Sequence, residues 1–534
     1  MSSPVIPSEV AGAAVVEDPA QRRAILWAVC IALMAVVASV SGLNVAQPQL
    51  AETIDASQGT VLWIINTYTL ALAALLLPLG AAGDRWGRKP VLLLGLLVFG
   101  AANLAGAIAP TAEVMLVARF ASGVGAAMIM PVTLSVITST FPDDERSKAI
   151  GMWTAVAGGG GILGMYLSAL LVDVASWRWL FALPIALTVV AVAIAVGAVP
   201  NFRAPAPGRF DLRGAIASVV AAVALTYALH EAPVHGWGDP LIVVVLAIAA
   251  VSGVGFVLWE LRHPHPLLDV RHFRTRGLSS GSTLLLVLFG VQAGVALMLY
   301  PYFQVVLGWS GLRSTLGLMP MALLMIVASG LAPVLAARAG VRAAMATGLT
   351  IATGGLVLMA ALVSTDGGYV SVLPGLMAMG LGAGLAMTPS TEAITSSLPR
   401  EQQGVASALN DLTRELGAAL GMALLGGLLA GGYQAAVDQR LDGVPEALAS
   451  VAREGVANAD VVSRGAGDYA ERIRGAAAES FVIGWQQAMW VGVGVMAVLT
   501  VLVLVRGPRT AEVMATDEHA PGAQAAAGDE GAQP

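Results

Sequence analysis

Charged residues are scarce in this chain. Aspartate, glutamate, lysine and arginine together make up 12% of its 534 residues, whereas ordinary soluble domains carry about 25%. The composition is therefore that of a polytopic membrane protein rather than of a soluble domain. The formal net charge of -6 is spread over tails and loops without a basic face, so nucleic acid is not an expected partner.

Cysteine and lysine are also nearly absent. The single cysteine, Cys30, excludes a disulfide framework and a cysteine-based metal site. A nucleotide-binding P-loop needs a lysine followed by serine or threonine, but Lys89 is followed by Pro90 and Lys148 by Ala149. The chain alone is therefore not a primary pump, so a gradient or a partner must supply the energy for transport. We expect neither an enzyme nor a bound cofactor.

Long apolar runs are what the sequence has in abundance. Hydrophobic residues make up 57% of the chain, and the mean hydropathy is +0.79. A helix that crosses the bilayer needs about 20 mostly apolar residues, and this length predicts about fourteen spans. Twelve is the alternative, since the seventh and eighth runs are the weakest. The approximate limits are 24–46, 60–82, 91–110, 114–138, 149–173, 178–199, 214–231, 240–259, 279–306, 314–336, 343–363, 369–391, 405–430 and 479–505.

Arginine and lysine fall mostly on one side of these spans. Cytoplasmic loops are enriched in both residues, and an internal N-terminus leaves only Arg178 and Arg313 in the short outer loops. Both termini are thus predicted to be cytoplasmic. The longer outer segment, 431–478, suits short helices or a flexible cap. The tails, 1–23 and 506–534, are predicted to lack fixed structure over most of their length, because they are rich in alanine, glycine, proline and acids.

One internal repeat divides the chain. The loop GDRWGRK after the second span recurs as AARAGVR after the tenth, so that Arg85 and Gly87 match Arg338 and Gly340. Many transporters consist of two structural repeats related in this way. We therefore predict an all-α membrane fold with a six-helix lobe at 24–200, a linker with two extra helices at 201–277, and a second six-helix lobe at 278–505.

The thirteenth apolar run begins with the charged sequence SALNDLTRELGAAL at 407–420. Asp411 and Glu415 are four residues apart and share a helix face, and Arg414 can neutralise only one of them. The other would be an acid in a low dielectric, which can alternate between a protonated neutral form and a charged form. Coupling to a proton gradient requires such a group, and Glu415, one turn deeper, is favoured. The alternative is that Asp411 and Arg414 lie at the lipid headgroups as a salt bridge or gate.

The loop GAAGDRWGRKP at 80–90 resembles the signature loop of the major facilitator superfamily. The matching positions are Gly83, Asp84, Arg85, Gly87, Arg88 and Lys89. The resemblance implies a gating loop, in which Asp84 meets the positive N-terminal end of a helix in the other lobe. By the internal repeat, that helix is the thirteenth. The alternative is a basic anchor at the membrane surface.

Two further motifs lie in the fourth and fifth spans. RFASGVGAAMIMP, which begins at Arg119, resembles the fourth-helix motif of the same family, and the resemblance makes Arg119 part of proton coupling; snorkelling to the outer surface is the alternative. The fifth span keeps glycines at family positions, but Met165 replaces a proline that the antiporters carry, which leaves the direction of transport open. The glycines singled out are Gly160, Gly161 and Gly164.

Together these motifs resemble the fourteen-helix drug:proton antiporter family, of the quaternary-ammonium exporter type. The resemblance implies proton-coupled export of lipophilic drugs or antibiotics across the cytoplasmic membrane of a bacterium. Relatives in that branch often carry acids where this chain has Ser39 and Asn66, so the charge of the substrate stays open. A lipid, metabolite or siderophore transporter of the same fold is the alternative. Candidate residues of the substrate cavity are Asn44, Trp63, Asn66, Tyr300 and Tyr302.

A histidine-rich run, RHPHPLLDVRHF at 262–273, raises the question of a metal site. The prolines keep this segment extended, and the family has a similar loop without a metal. We therefore expect it to be structural, and we expect protons, membrane lipids and small molecules to be the partners of the chain.

Overall fold

The computed structural model describes residues 15–45, 47–203 and 210–508. All of the regular structure in these ranges is helical. The α-helices are α1 (Pro19–Val45), α2 (Gln47–Thr53), α3 (Gln58–Trp86), α4 (Arg88–Ala107), α5 (Ala112–Thr140), α6 (Asp143–Val174), α7 (Ala182–Ala198), α8 (Leu212–His235), α9 (Pro240–Glu260), α10 (Arg276–Pro301), α11 (Gly311–Ala339), α12 (Val341–Leu362), α13 (Gly368–Thr395), α14 (Gln403–Val437), α15 (Glu446–Arg453), α16 (Val456–Ser463) and α17 (Ala470–Arg506).

Fourteen helices within the described ranges are long and apolar enough to cross a membrane. They are all of the α-helices except the short α2, α15 and α16. The prediction of fourteen spans is confirmed, and the alternative of twelve is wrong, because α8 and α9 are both of spanning length.

The spanning helices pack into two lobes with an extra pair beside them. Helices α1 and α3–α7 contact one another in the first lobe, and α10–α14 with α17 form the second. Helix α8 packs against α3 of the first lobe and α14 of the second, while α9 packs mainly on α8. The extra pair is therefore attached at the seam between the lobes.

The chain enters the first span and leaves the last span on the same side, which we call the terminal side. The spans alternate in direction, so α3, α11 and α13 end on this side, whereas α6 and α14 begin there. The lobes contact each other through α3 with α14 and through α6 with α11 and α13. The gating loop and the thirteenth span thus meet on the terminal side.

The long segment at 431–478 is folded. Helix α14 continues to Val437, α15 and α16 follow, and α17 begins at Ala470. The Tyr433 hydroxyl donates a hydrogen bond of 2.7 Å to the Ala452 carbonyl, which ties the segment to the end of α14. Of the two alternatives for this segment, the short helices are what the structure contains.

The predicted tails need one correction. Residues 1–14 and 509–534 lie outside the described residues, but α1 begins at Pro19, inside the predicted tail 1–23. Val16 is buried, and its N–H donates to the Thr140 carbonyl at 3.0 Å. Arg22 pairs with Glu145 at 2.9 Å. The base of the tail is therefore ordered by contacts with α5 and α6.

The repeated loops have the same backbone turn. Gly87 joins α3 to α4 with a φ of 108°, and Gly340 joins α11 to α12 with a φ of 89°. Residues with a Cβ rarely adopt positive φ angles of this size, so glycine is favoured at both positions. The sequence repeat between the two halves corresponds to a structural repeat.

Candidate functional site

Asp84 lies at the end of α3 and contacts the start of α14. Its carboxylate accepts hydrogen bonds from the backbone N–H of Gly404 at 2.8 and 2.9 Å and from that of Val405 at 3.1 Å. The first N–H groups of a helix lack partners within the helix and carry a positive partial charge. Asp84 satisfies them across the lobes while only 6% exposed. The contact that the resemblance implies is present.

Arg88 compensates the charge of Asp84. Its Nη2 atom lies 2.8 Å from the Asp84 carboxylate and donates to the Arg400 carbonyl of the second lobe at 3.0 Å. A second hydrogen bond, from Nη1, reaches the Ser135 carbonyl at 3.3 Å. Arg88 is 1% exposed, so Asp84 and Arg88 form a buried pair that joins three helices and the other lobe.

The other residues of the gating loop hold it to the first lobe. Lys89 donates to the Val196 carbonyl at 2.7 Å, and the Arg85 carbonyl accepts from Arg203 at 2.9 Å. A Cβ at Gly83 would lie 3.0 Å from the Val132 side chain. These contacts hold the loop against the first lobe, whereas Asp84 and Arg88 bond to the second lobe.

Further contacts close the terminal side between the lobes. Thr154 of α6 and Thr388 of α13 lie 2.8 Å apart, and Ser147 hydrogen-bonds to Glu392. Sequence reasoning missed all four residues, because the local sequence around each one does not reveal which residue of the other lobe it meets.

Asp411 is buried inside the protein on α14. It is 0% exposed, its Oδ1 accepts from the Asn410 amide at 3.1 Å, and Arg414 Nη1 lies 3.7 Å away. Its Oδ2 has no hydrogen-bond partner among the described residues. A salt bridge at the lipid headgroups does not describe this position. Asp411 is an incompletely paired acid within the bundle.

Arg414 lies between aromatic rings of the two lobes. Its guanidinium carbon is 4.4 Å from the centre of the Phe289 ring of α10 and 5.5 Å from that of Trp153 of α6. Cation–π contacts of this kind stabilise a guanidinium that is removed from water. Trp153 is held by a 3.1 Å hydrogen bond from its indole N–H to Thr133. Arg414, which lies beside the two acids, therefore contacts both lobes.

Glu415 is partly exposed and interacts electrostatically with Arg414 and Tyr68. Tyr68 lies on α3, and the centre of its ring is 4.3 Å from the guanidinium carbon of Arg119. Tyr68 thus contacts Arg119 of the first lobe and interacts electrostatically with Glu415 of the second. Sequence analysis missed Tyr68. A tyrosine two residues after Asn66 places a second polar group in the same spanning helix, and this could have marked it as a candidate site residue.

Arg119 is buried in the first lobe at 1% exposure. Its Nη1 donates to the Ser39 hydroxyl at 3.1 Å, Ser39 bonds to Asn103 at 3.2 Å, and Asn103 donates to Ser122 at 2.8 Å. Its Nε lacks an acceptor, and the described residues give it no ion pair. Snorkelling does not describe this arginine. It is a buried cation held by neutral groups.

The predicted cavity residues fall in different places. Trp63 stacks on Tyr227 of α8 with ring centres 5.6 Å apart, while Asn66 is partly exposed. Tyr300 contacts Met165 of the other lobe and bonds to Thr315 at 2.8 Å. The side chain of Asn44 lies outside the described residues. Trp63 thus supports the extra helix pair, and Tyr300 lies between the lobes.

Tyr302 lies inside the second lobe. It is fully buried, its ring centre is 5.6 Å from that of Trp485, and its hydroxyl donates to the Ser364 carbonyl at 3.0 Å. The structure therefore separates it from Tyr300, because its ring packs against α17 and not towards the first lobe.

The glycines of α6 let neighbouring helices approach. A Cβ at Gly160 would lie 3.2 Å from the Met34 side chain, and one at Gly164 would lie 3.0 Å from the Cα of Ala38. Both contacts join α6 to α1. Gly161 is partly exposed.

Neither a metal site nor a hydrolase site is evident among the residues that the structure describes. No group of three or more His, Cys, Asp or Glu is arranged to hold a metal ion. The string GLSSG at 277–281 matches the letters of a GxSxG nucleophile motif but lies within α10, whereas that motif works at a strand-to-helix turn.

The family follows from the geometry and from comparison with known proteins. A family model described as the Major Facilitator Superfamily matches residues 29–422. The chain belongs to the major facilitator superfamily. This superfamily consists of membrane carriers, and an all-helical membrane fold of this kind is its architecture.

Several curated relatives are similar over most of the chain. Multidrug resistance protein Stp of Mycobacterium tuberculosis is 30% identical over 401 residues, which cover 75% of this chain and 74% of Stp. Puromycin resistance protein pur8 of Streptomyces alboniger is 34% identical, with coverage of 77% and 82%. Methyl viologen resistance protein SmvA of Salmonella typhimurium is 32% identical, with coverage of 74% and 80%.

Solved structures show the same fold at low sequence identity. The crystal structure of the human organic anion transporter MFSD10 aligns with a TM-score of 0.60 at 15% identity, covering 91% of this chain and 100% of that one. The proton:xylose symporter XylE aligns with a TM-score of 0.56 at 12% identity, covering 93% and 99%.

Proposed function

We propose that this protein is a multidrug or antibiotic efflux transporter of a bacterial cytoplasmic membrane, driven by a proton gradient. The names of the bacterial relatives support small-molecule drugs and antibiotics as substrates. The observation that carries proton coupling is the group on α14, where Asp411 and Glu415 share one arginine. The protein transports without chemistry on its substrate and without a bound cofactor.

Proton coupling rests on the imbalance of charge in this group. Arg414 is 3.7 Å from Asp411 and also interacts with Glu415, so one positive charge faces two carboxylates. A buried acid and a partly exposed acid that share one cation in a low dielectric are stable when one acid carries a proton. Release and uptake of that proton would change the net charge of the group by one unit.

Alternating access would link the acids of α14 to the contact of Asp84 with Gly404 and Val405, which we call the gate. Asp84 bonds to the first turn of α14, and Asp411 lies about two turns further along the same helix. In major facilitator transporters, one lobe rocks against the other around a central site. A change of charge at Asp411 or Glu415 would shift α14 and thereby weaken or strengthen its contact with Asp84.

We assign the terminal side to the cytoplasm. The distribution of arginine supports this orientation, since the short loops on the opposite side hold only Arg178 and Arg313. The gate at Asp84 would then be the cytoplasmic gate, shut in this structure by its bonds to Gly404 and Val405.

Dye transport in reconstituted vesicles tests this function. Ethidium efflux is measured with and without an imposed pH gradient for the wild type and for Glu415→Gln and Asp411→Asn, with Glu401→Gln as an exposed control on the same segment. We expect Glu415→Gln to abolish gradient-dependent transport while dye binding persists. Gradient-driven pumping at the wild-type rate in Glu415→Gln would contradict the coupling role.

Met165 favours a second candidate function. The antiporters that this chain resembles have a proline at this position, and here Met165 instead contacts Tyr300 of the other lobe. A lipid, metabolite or siderophore transporter would be compatible with that change. Accumulation of substrate inside right-side-out vesicles, rather than its removal, would favour this candidate.

A further inference from the structure

A cavity of about 700 Å³ lies at the edge of the second lobe, away from the gate. Four helices form its walls: the end of α8, and parts of α10, α14 and α17. Its lining includes Trp237, Gly290, Gly417, Gly427, Gln434 and Val491. None of the functions described above uses this cavity.

The cavity opens towards the membrane. Leu424, Val491 and Val495 line it and are 59%, 45% and 45% exposed. All three lie on spanning helices, where the surroundings of an exposed side chain are lipid rather than water. Molecules dissolved in the bilayer can therefore reach the cavity from the side.

The chemistry of the walls selects the ligand. Among the described residues, none of those that line the cavity is charged, and only Trp237 and Gln434 bring side-chain hydrogen-bonding groups. Both are near the ends of α8 and α14 that lie far from the terminal side. A charge in such surroundings is strongly unfavourable, so the ligand is uncharged and apolar, with a polar group at one end. The volume is in the range of drug-sized ligands.

The position of the cavity connects it to transport. Gly417 lines it and follows Glu415 by two residues on α14. Helix α8, which forms another wall, packs against α3 of the first lobe. Movement of the lobes would therefore change the shape of the cavity.

We propose that this cavity is a membrane-side binding site for uncharged, lipophilic molecules of drug size that enter from the bilayer. Membrane lipid is the competing occupant, and the binding titration below distinguishes it from a drug-sized molecule. The inference rests on the proposed drug transport and extends it to neutral molecules bound outside the interface between the lobes.

Glycines in the wall allow the site to be filled without distorting the fold. A Cβ added at Gly427 or Gly431 meets no atom within 4 Å. The two positions are four residues apart and lie on one face of α14. Gly494 of α17 also has open space, is exposed, and does not line the cavity. Gly494→Leu is therefore a matched control for Gly427→Leu.

The test is a binding titration with Nile red, an uncharged lipophilic dye. Full-length protein is placed in phosphatidylcholine nanodiscs, and the signal of empty nanodiscs is subtracted. The wild type should bind the dye saturably. Gly427→Leu should weaken binding about tenfold, since a leucine side chain removes apolar contact equivalent to about two methylene groups. Gly494→Leu should bind like the wild type.

Three results would overturn the proposal. They are wild-type affinity in Gly427→Leu, equal weakening in Gly494→Leu, and an absence of saturable binding to the wild type, which would mean that lipid holds the cavity. The assay uses no gradient. Failure of the proposed function, seen as unaltered pumping by Glu415→Gln, is therefore distinguishable from failure of this inference.

Discussion

The carboxylate of Asp84 and the backbone N–H of Gly404 are joined by hydrogen bonds of 2.8 and 2.9 Å, across 320 positions of sequence. This contact fastens the end of one spanning helix to the start of another in the opposite lobe. It uses the unpaired N–H groups of a helix N-terminus, which any sequence provides at that place. The sequence therefore has to specify only two things: an acid at position 84, and the close approach of α3 to α14.

Asp84→Asn should weaken the closed gate. The amide keeps the size of the side chain but leaves Arg88 buried without its counter-ion, and loss of one partner of a buried pair costs about 3 kcal/mol or more. We expect a lower thermal midpoint and faster amide hydrogen exchange in the first turn of α14. Arg338→Gln, in the exposed repeat of the loop, is the control. Unchanged exchange at 403–408 in Asp84→Asn would contradict a gating role.

Gly404→Ala should have a similar effect for a steric reason. A Cβ at Gly404 would lie 2.8 Å from the carboxyl carbon of Asp84, which forces the two helix ends apart. Gly354→Ala on α12 meets no atom within 4 Å and should be neutral or stabilising by up to about 1 kcal/mol. Thermal unfolding of both variants compares them, and equal midpoints would contradict the close approach.

Arg414→Gln should uncouple transport from the proton gradient. The substitution leaves Asp411 and Glu415 without the cation that they share, so their two negative charges would repel each other without compensation. Arg414→Lys retains the charge but loses the planar group that contacts Phe289, and should keep part of the activity. The measurement is ethidium efflux against imposed pH gradients. Full gradient dependence in Arg414→Gln would exclude this arginine from coupling.

Ser39→Asp should improve the binding of dications. Ser39 is 3.1 Å from the Arg119 guanidinium, so a carboxylate there would offset a buried positive charge that has no ion pair in the part of the chain that the structure describes. Affinity for methyl viologen should rise about tenfold, since one charge-assisted contact contributes roughly 1.5 kcal/mol or more. Ser39→Asn keeps the site neutral and should bind methyl viologen like the wild type. Equal affinities of the two variants would show that Arg119 does not limit cation binding.

Much of the fold could be predicted from local sequence, but several partners of the site could not. The spanning helices follow from apolar length, and the gate follows from a motif that resembles a known loop. Tyr68, Trp153 and Thr154 have no such signature. Each acts through a partner more than fifteen residues away in sequence, and a single apolar sequence does not reveal which helix faces meet.

The sequence by itself determined that the chain is a membrane protein with about fourteen or twelve spans, that its halves are repeated, and that Asp411 and Glu415 share one helix face. These properties depend on hydropathy and on helical periodicity, which are local. Only the tertiary structure decided that Arg119 has no ion pair with any described residue, that Tyr302 packs inside one lobe, and that α8 bounds a cavity at the edge of the second lobe. Those properties depend on which helix surfaces come together, and packing between distant segments sets that arrangement.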